Sequence, residues 1–91
     1  MKLEKRVYLY AFDEVLRIVD TKFLMDDAIS IVNMVRTANW MRSQYPQTVA
    51  IYAVDNRRGL HSEYLESMKT RDFTKQVEFA DTVRREGIRV G

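Results

Sequence analysis

The sequence predicts an α+β fold: a four-stranded, mainly antiparallel sheet with two helices packed on one face. Two observations carry this prediction. Segments of strand-like composition alternate with segments of helical period, and the pattern of residues 1–45 recurs in residues 46–91. The chain has 91 residues, of which 46% are hydrophobic, and it contains no linker-like stretch. We therefore expect a single domain over residues 1–91, built from two ββα units.

The first unit is predicted from residues 1–45. Val7–Phe12 is rich in aromatic and β-branched residues and predicts a strand, and Val15–Val19 is the expected return strand after a turn. Leu24–Gln44 has a helical period, and Pro46 ends the helix because the residue before a proline is pushed out of helical geometry. The apolar residues that share one broad side of this helix are Met25, Ala28, Ile29, Ile31, Val32, Val35 and Ala38.

The second unit repeats the pattern. Thr48–Val54 predicts a strand, and Asn56–Gly59 predicts a hairpin turn. We interpret Leu60–Met68 as the return strand because the turn before it is typical of hairpins, although its apolar residues also fit a helical spacing of four. Thr70–Glu86 predicts the second helix, with apolar residues three and four positions apart.

An offset of 42 residues aligns the two units without gaps. Val7–Asp13 lies over Val49–Asp55, and the helical positions align from Ile31 over Phe73 to Arg42 over Arg84. The match suggests an internal duplication of one ββα unit. The alternative is that any two ββα segments align through their common periodicity.

The charges are dispersed and nearly cancel. Fifteen basic and thirteen acidic side chains give a net charge of +2, and both halves carry almost equal numbers of each sign. No polybasic arm for nucleic acid or anionic lipid is present. The chain has no cysteine, hence no disulfide framework, and no apolar run long enough to cross a membrane. We expect a cytoplasmic protein that does not bind membranes.

Few residues could carry catalysis. His61 is the only histidine, and with Glu63 it supplies two metal ligands where a site needs at least three. Asp13 and Asp55 each end a predicted strand, where aspartates usually serve turns. No glycine-rich phosphate loop or nucleophile motif occurs. We therefore expect no enzymatic activity, no metal site and no cofactor.

The tyrosines of the first strand point to a second covered surface. Tyr8, Tyr10 and Phe12 share one strand face, and Tyr52 falls on the matching side of the third strand. With apolar residues on both faces, a sheet with helices on one side leaves one face to be covered. A partner chain or second copy, stacked bases, or the terminal Ile88–Val90 segment could cover it. We favour a protein interface, with candidate residues Tyr8, Tyr10, Tyr52 and Trp40.

Trp40 has two interpretations. It lies at the edge of the apolar arc of the first predicted helix. It can therefore form the rim of the core or act as an exposed anchor for a partner.

Four arginines define an alternative function. Arg57 and Arg58 lie at the predicted hairpin tip, and Arg84 and Arg85 lie near the end of the second predicted helix. Arginine suits phosphate, so these residues could bind nucleic acid. Acidic residues interleave with them, which favours an ordinary charged surface.

One resemblance bears on origin. Val7–Tyr45 combines a hairpin containing Val19-Asp20-Thr21, the run Met25–Ile29 and a long helix. This pattern resembles small uncharacterised phage- and prophage-encoded proteins of ββα type. The resemblance implies no activity, and suggests only an accessory protein that engages a host factor. Our expectation is a non-enzymatic binding module that acts through protein–protein contacts as a homodimer, with nucleic-acid binding as the alternative.

Overall fold

A computed structural model describes residues 5–56, 59–70 and 73–91, without the side chain of Thr70. The fold is α+β, with a four-stranded antiparallel sheet in the order β2-β1-β3-β4, which confirms the predicted class and sheet. In chain order the elements are β1 (Arg6–Phe12), β2 (Ile18–Met25), a 3-10 helix (Asp26–Ala28), α1 (Ile31–Gln44), β3 (Ala50–Asp55), α2 (Leu60–Thr70), α3 (Phe73–Glu86) and β4 (Ile88–Arg89).

The central strand β1 holds the sheet together. It pairs with β2 on one side and β3 on the other, so that Tyr10 lies between Thr21 and Tyr52. The register with β2 shifts between Ala11 and Phe12, which is a β-bulge. The short strand β4 adds only two residues beside β3. β2 and β4 are therefore the two edges of the sheet.

The predicted turn between β1 and β2 is built around Asp13. Its Oδ1 accepts hydrogen bonds from the backbone N–H groups of Val15 at 3.0 Å and Arg17 at 2.9 Å. Its Oδ2 accepts from Nε of Arg17 at 3.2 Å. Asp13 is thus a buried turn aspartate whose oxygens are engaged by the turn itself.

The first helix begins later than its period predicts. Met25 and Leu24 belong to β2, where they lie opposite Arg6 and Val7 of β1. The helix starts after Ser30, whose hydroxyl accepts a hydrogen bond from the backbone N–H of Asn33 at 3.1 Å. The prediction of a helix from Leu24 was wrong because the first residues of this apolar run, Leu24 and Met25, pair with β1 as part of β2. The helix ends at Gln44, as the following proline predicts.

The predicted return strand of the second unit is a helix. Residues 60–68 form most of α2, and the spacing of Leu60, Tyr64 and Ser67 turns one side of that helix towards the core. The helices α1 and α3 are both 14 residues long and begin 42 residues apart, as the offset predicts. However, α2 occupies the place equivalent to β2, so the structure does not confirm a duplicated ββα unit.

The helices cover both faces of the sheet rather than one. The alternation of β1 sends Leu9 and Ala11 towards α1, and sends Tyr8, Tyr10 and Phe12 towards α2 and α3. The cluster on the α1 side comprises Leu9, Ala11, Met34, Ala38, Met41, Ile51 and Ala53. The cluster on the other side comprises Tyr8, Tyr10, Phe12, Val54, Leu60, Phe79, Ala80 and Val83. The prediction of helices on one face was wrong because a strand that is apolar on both sides needs cover on both.

Candidate functional site

The chain itself covers the tyrosine face of the sheet. Tyr10 is 0% exposed and Tyr8 is buried, both beneath α2 and α3. The terminal Ile88–Arg89 segment lies beside β3 as an edge strand and does not cross this face. Neither tyrosine is accessible for contact with a partner or for base stacking in this conformation. The aromatic face is part of the core, which corrects the interface expected at Tyr8 and Tyr10.

The other two predicted interface residues lie nearer the surface. Tyr52 is half-buried, with its ring centroid 6.2 Å from that of Phe12. Trp40 is 49% exposed at the side of α1, and the ammonium group of Lys22 lies 4.9 Å from its ring centroid. The four residues therefore do not form one surface, and only Trp40 presents a large area to solvent.

His61 lies inside the aromatic cluster, in contact with Tyr8, Tyr10 and Tyr64. Its Nδ1 lies 2.9 Å from the hydroxyl oxygen of Tyr10, and its ring stacks on Tyr8 at 3.9 Å between centroids. The ring of Tyr64 meets it edge-on at 5.4 Å. The first turn of α2 places His61 there, so the residue is half-buried on a helix and does not lie in the predicted return strand.

Burial controls the protonation of this cluster. Removal from water lowers the pKa of His61 below its ordinary value, and the positive charge of Arg6 lowers it further. Burial also raises the pKa of Tyr10, with smaller contributions from Tyr8 and Tyr64. The pKa of Tyr64 is raised by burial and by the negative charge of Asp20. The Tyr10–His61 pair is therefore neutral, and it gives the buried hydroxyl group of Tyr10 a hydrogen-bond partner within the core.

The outer surface of α1 presents apolar side chains to solvent. The sheet packs against Met34, Ala38 and Met41 on the inner side of the helix. A shallow groove runs along the opposite side. We call this groove the outer α1 surface, and it is lined by Ile31, Val32, Val35, Arg36 and Asn39. Ile31 is 63% exposed and Val32 64%, so this surface is apolar yet uncovered by the described chain.

The charge on α1 has one sign. Arg36 lines the outer α1 surface, Arg42 lies in the last turn, and the helix contains no acidic residue. Sequence reasoning missed this surface because it assigned Ile31, Val32 and Val35 to the core. The helix is apolar on both sides, and only the packing distinguishes them. The available signal in the sequence was the adjacent pair Ile31 and Val32 at the start of the helix.

The arginines of the alternative function are only partly described. Arg57 and Arg58 lie outside the described residues. Arg84 and Arg85 lie in the last turn of α3, where the helix dipole favours positive charge. The guanidinium of Arg84 contacts the carboxylate of Asp81 and the carbonyl oxygen of Ala80. Its positive charge is thus already balanced within the helix.

Across residues 5–56, 59–70 and 73–91, no group of three or more potential ligands is arranged to hold a metal ion. Over the same part of the chain, no helix is long and apolar enough to cross a membrane. No family model, curated protein or solved structure matches the chain.

Proposed function

We propose that this protein is a small, non-enzymatic binding module that acts through protein–protein contacts, with the outer α1 surface as its contact site. The observation that carries the proposal is the exposure of Ile31, Val32 and Val35 on a helix whose opposite side is firmly packed. Exposed apolar side chains on a rigid helix are typical of binding surfaces. The groups suited to acid–base work, Asp13 and His61, are engaged by the turn and by Tyr10.

The charge of α1 indicates the chemistry of the partner. Arg36 beside the apolar residues and Arg42 at the end of the helix favour carboxylates in the partner. The occupant is therefore an amphipathic helix whose apolar stripe is flanked by Asp or Glu. A second copy of α1 would bring arginines against arginines, so this surface suits a different protein. The resemblance to phage proteins suggests a host protein, and this suggestion depends on the resemblance alone.

Two synthetic helical peptides test the proposal. Both carry the same leucine stripe, and the flanking positions are Glu in one and Lys in the other. Titrated into ¹⁵N-labelled protein, the acidic peptide should bind at least about tenfold more tightly, equivalent to roughly 1.4 kcal/mol. The amide signals that shift should lie in α1.

Matched variants locate the contact. Val32→Glu places a charge in the outer α1 surface and should weaken binding of the acidic peptide by about tenfold or more. Leu65→Glu is the control, because Leu65 is 52% exposed on α2 across the sheet, and it should leave binding unchanged. Equal affinity for both peptides, no binding of either, or equal effects of both variants would contradict the proposal.

A further inference from the structure

The edge strand β2 offers a second surface with a different geometry. It is eight residues long and stands at the end of the sheet, and no strand in the described part of the chain pairs with its outer edge. The opposite edge, β4, has only two residues. Long open edges present rows of unpaired N–H and C=O groups that can add another strand.

Two side-chain oxygens at the middle of β2 are buried and unsatisfied within the part of the chain that the structure describes. Oδ2 of Asp20 and Oγ1 of Thr21 are buried, without a hydrogen-bond partner among the described residues. Oδ1 of Asp20 lies 4.0 Å from Nζ of Lys22, the outer limit of an ion pair. Buried polar groups normally have partners, so these unsatisfied groups mark this stretch of the edge as incomplete in one chain.

The sequence of β2 is complementary to itself in one register. When two copies pair antiparallel about Thr21, each Asp20 lies opposite a Lys22 of the other copy. The same register sets Thr21 opposite Thr21 and Val19 opposite Phe23. Opposite charges, paired threonines and aromatic–β-branched pairs are all favourable across strands.

Neighbouring registers lose this match. Centring the pair on Asp20 or on Lys22 sets like charges against each other. A shift of one residue would turn the α1 sides of the two copies to opposite faces of the joined sheet. The charges that protect the edge from indiscriminate pairing thus select one arrangement.

We infer that β2 pairs antiparallel with β2 of a second copy about Thr21, giving a symmetric dimer with one sheet of eight strands, four from each copy. The ion pairs between Asp20 and Lys22 of opposite copies set its register. This surface is separate from the outer α1 surface, so the two proposals stand or fail independently.

Charge exchange tests the register. Light scattering should give the native protein about twice the chain mass of 10.8 kDa. Asp20→Lys and Lys22→Asp each create like-charge pairs and should be monomeric. A mixture of the two variants restores both ion pairs and should form a heterodimer of about twice the chain mass, and this recovery also shows that both variants fold.

The controls separate the possible outcomes. Glu78→Lys makes an equal charge reversal at an exposed residue of α3 and should leave the mass unchanged. Val32→Glu on the outer α1 surface should also leave the mass unchanged. If circular dichroism shows that Asp20→Lys does not fold, Asp20→Asn replaces it in the mixture. One of the two ion pairs then forms, between Lys22 of the Asp20→Asn copy and Asp20 of the Lys22→Asp copy. A monomeric native protein at millimolar concentration, single variants that stay dimeric, or a mixture that stays monomeric would overturn the inference. Loss of peptide binding with an intact dimer would affect only the proposed function.

Discussion

Tyr10 illustrates how one polar atom is accommodated at the centre of an apolar cluster. Its side chain is fully buried, yet its hydroxyl group lies 2.9 Å from Nδ1 of His61. When Nδ1 carries no proton, the hydroxyl group donates to it. Protonation of His61 would remove this acceptor and leave the Tyr10 donor unsatisfied, which costs about 1–3 kcal/mol for a buried group. The neutral histidine is therefore part of the folded structure.

This pair predicts a pH-dependent stability. Because folding lowers the pKa of His61, the unfolded chain takes up the proton first as pH falls below the ordinary value of 6.5. The free energy of unfolding should decrease from pH 6.5 down to the folded pKa and lose no more from this group below it. The pKa values of Tyr10 and Tyr64 beside His61 are raised, and Arg6 is positive, so none of these three groups provides an opposing negative charge at these pH values.

Urea unfolding between pH 7 and pH 5 provides the measurement. The double variant Tyr10→Phe/His61→Phe keeps two stacked rings and removes the titrating group, so its loss of stability over this range should be smaller than that of the native protein. The single variant His61→Phe leaves the Tyr10 hydroxyl unpaired and should be the least stable at pH 7. The same pH dependence in all three proteins would contradict the assignment to His61.

At the scale of elements, a glycine joins α3 to β4. The N–H of Gly87 donates to the carbonyl oxygen of Val83 at 2.8 Å, which ends the helix. A Cβ at this position would lie 2.6 Å from that oxygen and 2.9 Å from Cγ2 of Val54. The chain can turn directly from α3 into the sheet edge only because this residue has no side chain.

Gly87→Ala should destabilise the protein by about 1–3 kcal/mol, because the added methyl group must displace backbone or a core valine. The matched control is Gly59→Ala. Gly59 has a φ of 64°, and apart from its chain neighbours no described residue has an atom within 4 Å of an added Cβ, so Gly59→Ala costs only backbone strain, roughly 1–2 kcal/mol. Thermal unfolding should therefore show a loss of stability for Gly87→Ala that is similar to or larger than the loss for Gly59→Ala.

The heteronuclear NMR spectra locate the two effects. The spectrum of Gly87→Ala should show shifts in β4, α3 and Val54, whereas the shifts from Gly59→Ala stay near the start of α2. Unchanged β4 signals in Gly87→Ala would contradict the packing argument.

The elements also show which parts of the fold the sequence could predict. The alternation of β1 places Tyr8 and Tyr10 on one side and Leu9 on the other, and the structure confirms this. Periodicity could not decide between strand and helix for residues 60–68, because Leu60 and Tyr64 fit both patterns. It also could not choose the buried side of α1, since both sides of that helix are apolar. These choices depend on contacts between elements distant in sequence, and the candidate surface follows from them.

At the scale of the whole molecule, one strand joins two cores. The adjacent residues Leu9 and Tyr10 are both fully buried, and they belong to clusters on opposite faces of the sheet. If β1 separates from the rest of the sheet, buried residues of both clusters become exposed at the same time. A domain of 91 residues has a thin core, so half of it has little stability of its own.

We therefore expect the two faces to unfold together. The single tryptophan, Trp40, reports on the α1 side through its fluorescence, and the ring signals of Phe79 and Tyr10 report on the other side by NMR. Urea titrations followed by the two probes should give the same midpoint and slope, as two-state unfolding requires. Leu9→Ala should lower both midpoints equally, although Leu9 belongs to the cluster on the α1 side, because removing a buried leucine side chain costs about 2–5 kcal/mol for the unit as a whole. Separate midpoints, or a shift confined to the tryptophan signal, would show that α2 and α3 form an independent unit on a sheet that survives without α1.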